Sequence, residues 1–229
     1  MKNRHVFFLA ALLAPVLCKH MQVAQAADAS RYFASLYVGI SYEDLARIPS
    51  HVAFLLPYVL LALASSDQAI SLHENRSLVQ GRFGGRNEFS RRLISKLAGD
   101  TACHGFLHIA ILFMMAQVSC GFQLDLRMLE IMARTFVLNI FLASCLFFLS
   151  LLMERNNAVA AWFAGSSLLS SLGLIEMRAR QPFLYRFNLF VSCLQVDDRI
   201  FSSPLAIVIG LALSLVFLWL SMVFLMKEE

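Results

Sequence analysis

Three side chains of types that commonly bind metals occur close together near the start of one apolar stretch. Cys103, His104 and His108 form this group, and the two histidines are one helical turn apart, so they could share a helix face. A complete metal site needs further ligands, and none is evident at a suitable spacing. The alternative is that the two histidines hydrogen-bond to neighbouring helices or to lipid headgroups. We favour this alternative and predict no metal site.

Catalytic and nucleotide-binding motifs are absent from the sequence. It contains neither H-E-x-x-H nor G-x-S-x-G, and no apolar stretch carries paired carboxylates. The glycine-rich "GRFGGR" at residues 81–86 differs from a Walker motif, in which lysine and a hydroxyl residue follow the last glycine. We therefore predict that the chain is not an enzyme and has no catalytic residue and no cofactor of its own.

Composition indicates the kind of protein that carries these residues. Of the 229 residues, 59% are hydrophobic and 15% are charged, and the mean hydropathy is +0.68. Soluble domains carry about 25% charged residues. The net charge of +4 is ordinary for a membrane protein and implies no nucleic-acid partner. The sequence thus predicts an integral membrane protein.

Six apolar stretches are candidate spans, since a helix crosses a bilayer in roughly 20 residues. They cover about residues 6–23, 52–66, 103–122, 131–153, 158–175 and 204–226. The last is the clearest, because Pro204 suits a first helical turn and no charge occurs before Lys227. The second contains Pro57, which should kink it. The predicted fold is an all-α, six-helix transmembrane bundle that forms a single domain over residues 1–229.

The first stretch has two interpretations. Lys2 and Arg4 before an apolar run, followed by "AQA" at residues 24–26, are typical of a secretory signal peptide that is removed. Lys19 and His20 fit poorly between that run and a cleavage site, and they favour a retained first helix. Cleavage after residue 26 and retention of residues 1–26 are both compatible with this pattern.

Lysine and arginine in short loops predict the orientation. The densest cluster, residues 76–96, falls between spans two and three, on the same side as both termini of a six-span bundle. We predict that this side is cytoplasmic and that residues 24–50 and 176–203 are external. The chain would then be a multi-pass protein of the cytoplasmic membrane with both termini in the cytoplasm.

The polar segment 74–100 is the most distinctive part of the chain. Its central part, "RSLVQGRFGGRNEFSRRLISK", carries five arginines and one lysine against one glutamate. The glycines predict a break between two short helices, Glu74–Gln80 and Asn87–Leu97. The second helix has an apolar stripe formed by Phe89, Leu93, Ile94 and Leu97. Such a basic amphipathic helix can lie among lipid headgroups or dock on a cytoplasmic partner.

The order of these parts resembles the permease subunits of exporter-type (type-2) ABC transporters, most closely the small permeases of bacterial antimicrobial-peptide export or immunity. In that family the insertion between spans two and three often carries a pattern of the kind R-x-G-x-R-x-x-W/F-x-x-x-K. Residues 82–92 fit this pattern loosely, with Phe89 at the aromatic position and no lysine four residues later. The topology matches along the whole chain, whereas the motif covers only this short segment.

The resemblance implies partners and a role for the polar segment. Segment 74–100 would be a cytoplasmic coupling helix that fits a groove on a separate ATP-binding subunit, and that subunit would bind ATP and Mg. A second permease chain, identical or related, would complete the pathway for an amphipathic peptide or lipid-like substrate. The residues that this resemblance suggests as ATPase contacts are Arg82, Arg86, Phe89, Arg91, Arg92 and Leu93.

The second functional hypothesis is a membrane protein that acts through interactions alone. An immunity or scaffold protein of this kind would use its basic helix to grip membrane lipid, without transporting anything. A neighbouring gene for an ATPase with a Walker motif would favour the permease, and a solitary gene would favour the interaction protein.

Polar residues inside the predicted spans are expected to face protein. An unpaired amide in lipid is costly, so Gln117 and Asn139 should lie against other helices. Arg134 is expected to extend its charged end to the outer interface.

Overall fold

The computed structural model describes residues 3–18, 32, 48–122, 124, 126–178 and 204–227. Within these ranges the chain forms α-helices and short connections, with no strand, which confirms the all-α prediction. The helices are α1 (Asn3–Cys18), α2 (Ile48–Glu74), α3 (Arg76–Val79), α4 (Arg86–Cys120), α5 (Leu126–Leu152), α6 (Arg155–Arg178) and α7 (Pro204–Lys227), with a 3-10 turn at Gln80–Arg82.

Four described helices are long and apolar enough to cross a membrane, which confirms the prediction of a membrane-embedded protein. The spanning parts are Leu55–Glu74, Arg86–Cys120, Met128–Leu152 and Leu205–Lys227. The predicted first span falls on α1, whose apolar part His5–Ala14 is shorter, and the predicted span 158–175 falls on α6. The count of six spans therefore stays a prediction. Most of the predicted external segments, 24–50 and 176–203, lie outside the described residues.

Helix α2 is longer than the predicted span of residues 52–66. It continues through Pro57 and ends at Glu74. The added turns are polar in part, but Ala69 and Ile70 are buried in the core and Asp67 is paired with Arg155 of α6. Contacts with other helices therefore stabilise turns that a local hydropathy pattern assigns to a loop.

The polar segment also differs from the prediction, because its second helix is not separate. Residues 86–120 form one helix of 35 residues, about 52 Å long at 1.5 Å per residue. The polar residues at its middle bond within the helix: Lys96 Nζ lies 2.8 Å from Asp100 Oδ1, and Thr101 Oγ1 donates to the Leu97 carbonyl at 2.7 Å. The predicted amphipathic helix is thus the first part of α4, and the predicted third span is its second part.

Two contacts bring the ends of four helices together. Arg86, at the start of α4, donates from Nε to the Leu225 carbonyl near the end of α7 at 2.9 Å. Arg155, at the start of α6, pairs with Asp67 in the last turns of α2. We call this end of the bundle the basic end.

Helix α1 runs parallel to α4, so its start also points toward the basic end. The Phe8 ring lies 5.3 Å from that of His104, and His108 Nε2 lies 3.1 Å from the Ala11 carbonyl oxygen. Ala11 and His108 are both buried. Helix α1 is therefore packed against α4 in the bundle, and retention or cleavage of residues 1–26 stays open.

Candidate partner-binding surface at the basic end

A glycine-containing turn joins α3 to α4 at the basic end, as the sequence predicts. Gly85 precedes α4 with a φ of 136°, a conformation that side chains other than glycine rarely adopt. Gly84 is confined too, since a Cβ there would lie 2.9 Å from Glu88 Oε2. The turn places the Phe83 ring 5.6 Å from that of Phe89 and beneath the Arg92 guanidinium, whose Cζ lies 5.2 Å from the ring centroid.

The apolar stripe of the first part of α4 belongs to the core of this chain. Phe89 is 4% exposed, and Leu93 and Leu97 are each 1% exposed. The amphipathic pattern is present, but the stripe packs against the other helices of the bundle. Two of the suggested ATPase contacts, Phe89 and Leu93, are therefore not available on the surface.

The opposite side of the same turns is charged and exposed. Arg92 pairs with Glu88 at 2.5 Å, and both side chains are largely exposed, so the pair contributes little to stability. Arg82 and Arg91 are exposed and make no ion pair with any residue that the structure describes. Arg91 and Arg92 lie on α4 and Arg82 lies in the 3-10 turn before it, and we call these three residues the arginine face.

Arg86 has a different environment from the arginine face. It is half-buried, and its bond to the Leu225 carbonyl ties the start of α4 to the last turn of α7. Because the last carbonyls of a helix lack intrahelical donors, Arg86 also caps α7 and complements its negative end.

A buried ion pair at the basic end was not predicted from the sequence. Asp67 is 6% exposed and accepts a hydrogen bond from Arg155 Nη2, while Arg155 Nη1 lies 3.8 Å from Glu74 Oε2. The one local signal for this pair is the position of Asp67 directly after an apolar stretch, because a charge that is buried there needs a partner. The pair holds α6 against α2.

The two polar residues predicted to face protein are both buried. Asn139 is fully buried, and its Nδ2 donates to the Thr101 carbonyl of α4 at 3.3 Å. Gly105 allows this approach, since a Cβ there would lie 3.0 Å from Asn139 Nδ2. Gln117 is 8% exposed. Arg134 is buried and paired with Glu130 at 2.5 Å, and its extension to the outer interface stays a prediction.

The cysteine and histidine cluster is spread over different environments. Cys103 is exposed, His108 is buried against α1, and His104 contacts Phe8. Across the described ranges no group of three or more His, Cys, Asp or Glu side chains is arranged to hold a metal ion. The two histidines make contacts between helices, in line with the alternative favoured from the sequence.

Comparisons with known proteins give no family for this chain. No protein-family model, curated protein or solved structure matches it. A function can therefore be argued from three features of the basic end. These are the arginine face, the buried stripe beneath it and the long helix α4.

Proposed function

We propose that the chain is the transmembrane permease subunit of an ABC exporter, with the arginine face as its contact for a separate ATPase subunit. One observation carries this proposal: Arg91 and Arg92 of the arginine face lie on the first turns of a helix that continues, without a break, into a candidate membrane span, and Arg82 lies in the 3-10 turn just before that helix. A force applied at one end of a continuous helix moves the other end. Helix α4 is therefore suited to pass a movement from a soluble partner into the bundle.

The packing beneath the arginine face supports this mechanical role. Phe89, Leu93 and Leu97 anchor the first part of α4 in the core, and Arg86 ties it to α7. Because protein interiors are close-packed, a displacement of these turns is transmitted to their neighbours instead of being absorbed. A partner that pushes on the arginine face would move α4 and α7 together.

The chemistry of the face defines the partner. Exposed arginines pair with carboxylates through two parallel hydrogen bonds and stack on aromatic rings, so an acidic or aromatic groove on the ATPase would fit. That subunit would bind ATP and Mg. In this proposal the basic end is cytoplasmic, the membrane is the cytoplasmic membrane, the bundle has six spans, and a second permease chain completes a route for an amphipathic peptide or lipid-like substrate.

The test is co-purification of the full-length protein in a mild detergent with charge variants of the arginine face. Arg82→Glu/Arg91→Glu reverses the charge, and Arg82→Lys/Arg91→Lys is the matched control that keeps it. Both positions are exposed, so neither variant should alter thermal unfolding. Because basic residues in this segment also direct membrane orientation, insertion and orientation of each variant are measured first, together with thermal unfolding. Bound proteins are identified by mass spectrometry and by Mg-dependent ATP hydrolysis.

Recovery of an ATPase with the wild type and the lysine variant, but not with the glutamate variant, supports the proposal. Equal recovery with all three proteins, or no ATPase with any of them, contradicts it. Since the buried Phe89 is left unchanged, loss of the ATPase cannot come from a damaged core.

The second candidate is a non-transporting interaction protein that grips lipid. It is favoured by the absence of ion partners for Arg82 and Arg91 among the described residues, because arginines beside a membrane attract anionic headgroups. This candidate predicts that the glutamate variant loses bound anionic lipid and that no ATPase is recovered with the wild type.

A further inference from the structure

A small polar cavity lies behind the arginine face, where α3, the start of α4 and the end of α7 meet. Its volume is about 160 Å³, against about 30 Å³ for one molecule of liquid water. It can therefore hold a group of several atoms. The lining residues are Arg76, Gln80, Arg86, Phe89, Ser90 and Leu225.

Ser90 provides the first sign of a ligand. Its side chain lines the cavity and is 1% exposed, and its Oγ has no hydrogen-bond partner. Several other buried hydroxyls among the described residues donate to the carbonyl four residues earlier, as Ser65 and Ser66 do at 2.8 Å, whereas Ser170 Oγ also has no partner but lies on α6, away from this cavity. Ser90 makes no such bond, although a buried unpaired hydroxyl is costly. Its hydroxyl is thus left for a group inside the cavity.

Arg86 provides the second sign. Its Nε is used by the Leu225 carbonyl, and its two remaining guanidinium nitrogens make no hydrogen bond with a described residue. A guanidinium has five donors in a planar fork, and here most of them are left over. The Gln80 amide and the Arg76 guanidinium line the same cavity, and the start of α4 adds the positive end of a helix dipole.

We propose that this cavity binds a phosphate group. Arginine, hydroxyl and amide donors together match the several acceptor oxygens of a phosphate, and none of the lining residues that the structure describes is acidic. Helix α7 indicates the source, because its apolar run reaches Met226 and its first charge is Lys227. The cavity beside Leu225 therefore lies where a span leaves the hydrocarbon, at the level of phospholipid headgroups. This site does not depend on the binding of an ATPase.

The test compares two probes on the full-length protein, purified and delipidated in detergent. Phosphatidylglycerol is added for native mass spectrometry, and inorganic phosphate is titrated at constant ionic strength while thermal unfolding is followed. Glu228 and Glu229 follow α7 in the sequence, so each measurement is repeated with both changed to glutamine to remove competing carboxylates.

The deciding variant is Ser90→Ala, with Ser95→Ala on the exposed side of the same helix as its control. Ser90→Ala removes only an unpaired hydroxyl, so the ligand-free protein should unfold at the same or a higher temperature. We expect its affinity for phosphatidylglycerol to fall roughly tenfold or more, since a hydrogen bond to a charged group is lost. Arg86→Gln should lower the affinity further.

The outcomes distinguish a lipid phosphate from a soluble one, and they show whether the proposal fails. Binding of phosphatidylglycerol alone supports a lipid headgroup, and binding of inorganic phosphate as well supports a soluble phosphate compound. Absence of binding for both probes in both backgrounds overturns the site. Equal affinity of the wild type, Ser90→Ala and Ser95→Ala also overturns it.

Discussion

Of helices α2 and α7, the less apolar one is the more deeply buried. In the most apolar part of α2, 67% of the residues are buried, although this helix contains Asp67 and Glu74. In α7 only 17% are buried, although no charge occurs between Pro204 and Lys227. In water the most apolar helix would be the most buried. The reversal indicates that the solvent around this bundle is lipid.

The two helices also differ in the types of residue that they bury. Helix α2 buries Tyr58, Leu61 and Ile70 together with polar Ser65 and Ser66. The buried positions of α7 are mostly small, namely Ala206, Gly210, Ser214 and Ser221. Small residues let a helix approach its neighbour closely where apolar burial supplies no driving force. Helix α2 therefore forms the packed centre of the bundle, and α7 packs on the outside of the bundle, where most of its surface faces lipid.

The largest expected effect comes from removing the same leucine side chain from the two helices. Leu61 is 1% exposed and Leu215 is 66% exposed. Leu61→Ala should lower the free energy of unfolding by about 4 kcal/mol, because it leaves a cavity. Leu215→Ala should change it by less than about 0.5 kcal/mol. Thermal unfolding of both variants in one detergent checks this, and losses of equal size would contradict the comparison.

The second largest effect on stability is expected from removing the buried charge of Asp67 in α2. Asp67→Asn leaves the Arg155 guanidinium without its main partner, since Glu74 is 3.8 Å away and partly exposed. Removing one member of a buried pair is strongly destabilising, and the partial exposure of Arg155 reduces the expected loss to about 2 kcal/mol. The double variant Asp67→Asn/Arg155→Gln should regain most of it. An additive loss in this double-mutant cycle would show that the pair contributes nothing.

A smaller effect tests the close contact between α4 and α5. In Gly105→Ala the new methyl group would lie 3.1 Å from Phe136 Cδ2 and 3.0 Å from Asn139 Nδ2. Such overpacking should cost about 1.5 kcal/mol. Gly99→Ala is the control in the same helix, because a Cβ there meets nothing within 4 Å. The control should be stabilising, since alanine is the better helix former.

The smallest effect concerns the attachment of α6. Trp162 is buried and donates from Nε1 to the Leu142 carbonyl of α5 at 3.0 Å. Trp162→Phe keeps much of the apolar surface and removes this donor, so it should cost about 1 kcal/mol. Chemical denaturation measures the change, and a loss as large as that of Leu61→Ala would mean that α6 belongs to the packed centre.

Sequence patterns predicted the helices that depend on local composition. The span at residues 204–226 and helix α7 nearly coincide, because an unbroken apolar run fixes both ends. Helix α2 extends further than predicted, since its last turns depend on Arg155, which is distant in the sequence. Local patterns cannot show such a pair.

The candidate site illustrates the same limit. Helical spacing predicts the stripe of Phe89 and Leu93, but it does not show which surface covers the stripe. In the structure the other helices of the bundle cover it. The exposed charge of Arg82 and Arg91 could be expected from composition alone. The unpaired hydroxyl of Ser90 could not, because it depends on how α3, α4 and α7 meet.

The central claim is that the arginine face contacts an ATPase, and photo-cross-linking in intact cells tests it most directly. A photoreactive phenylalanine analogue replaces Arg91, and the control carries it at Leu168, which is 61% exposed on α6. We predict a cross-linked ATPase with a Walker motif at position 91 and none at position 168. Adducts with lipid alone at position 91, or the same protein adducts at both positions, would contradict the claim.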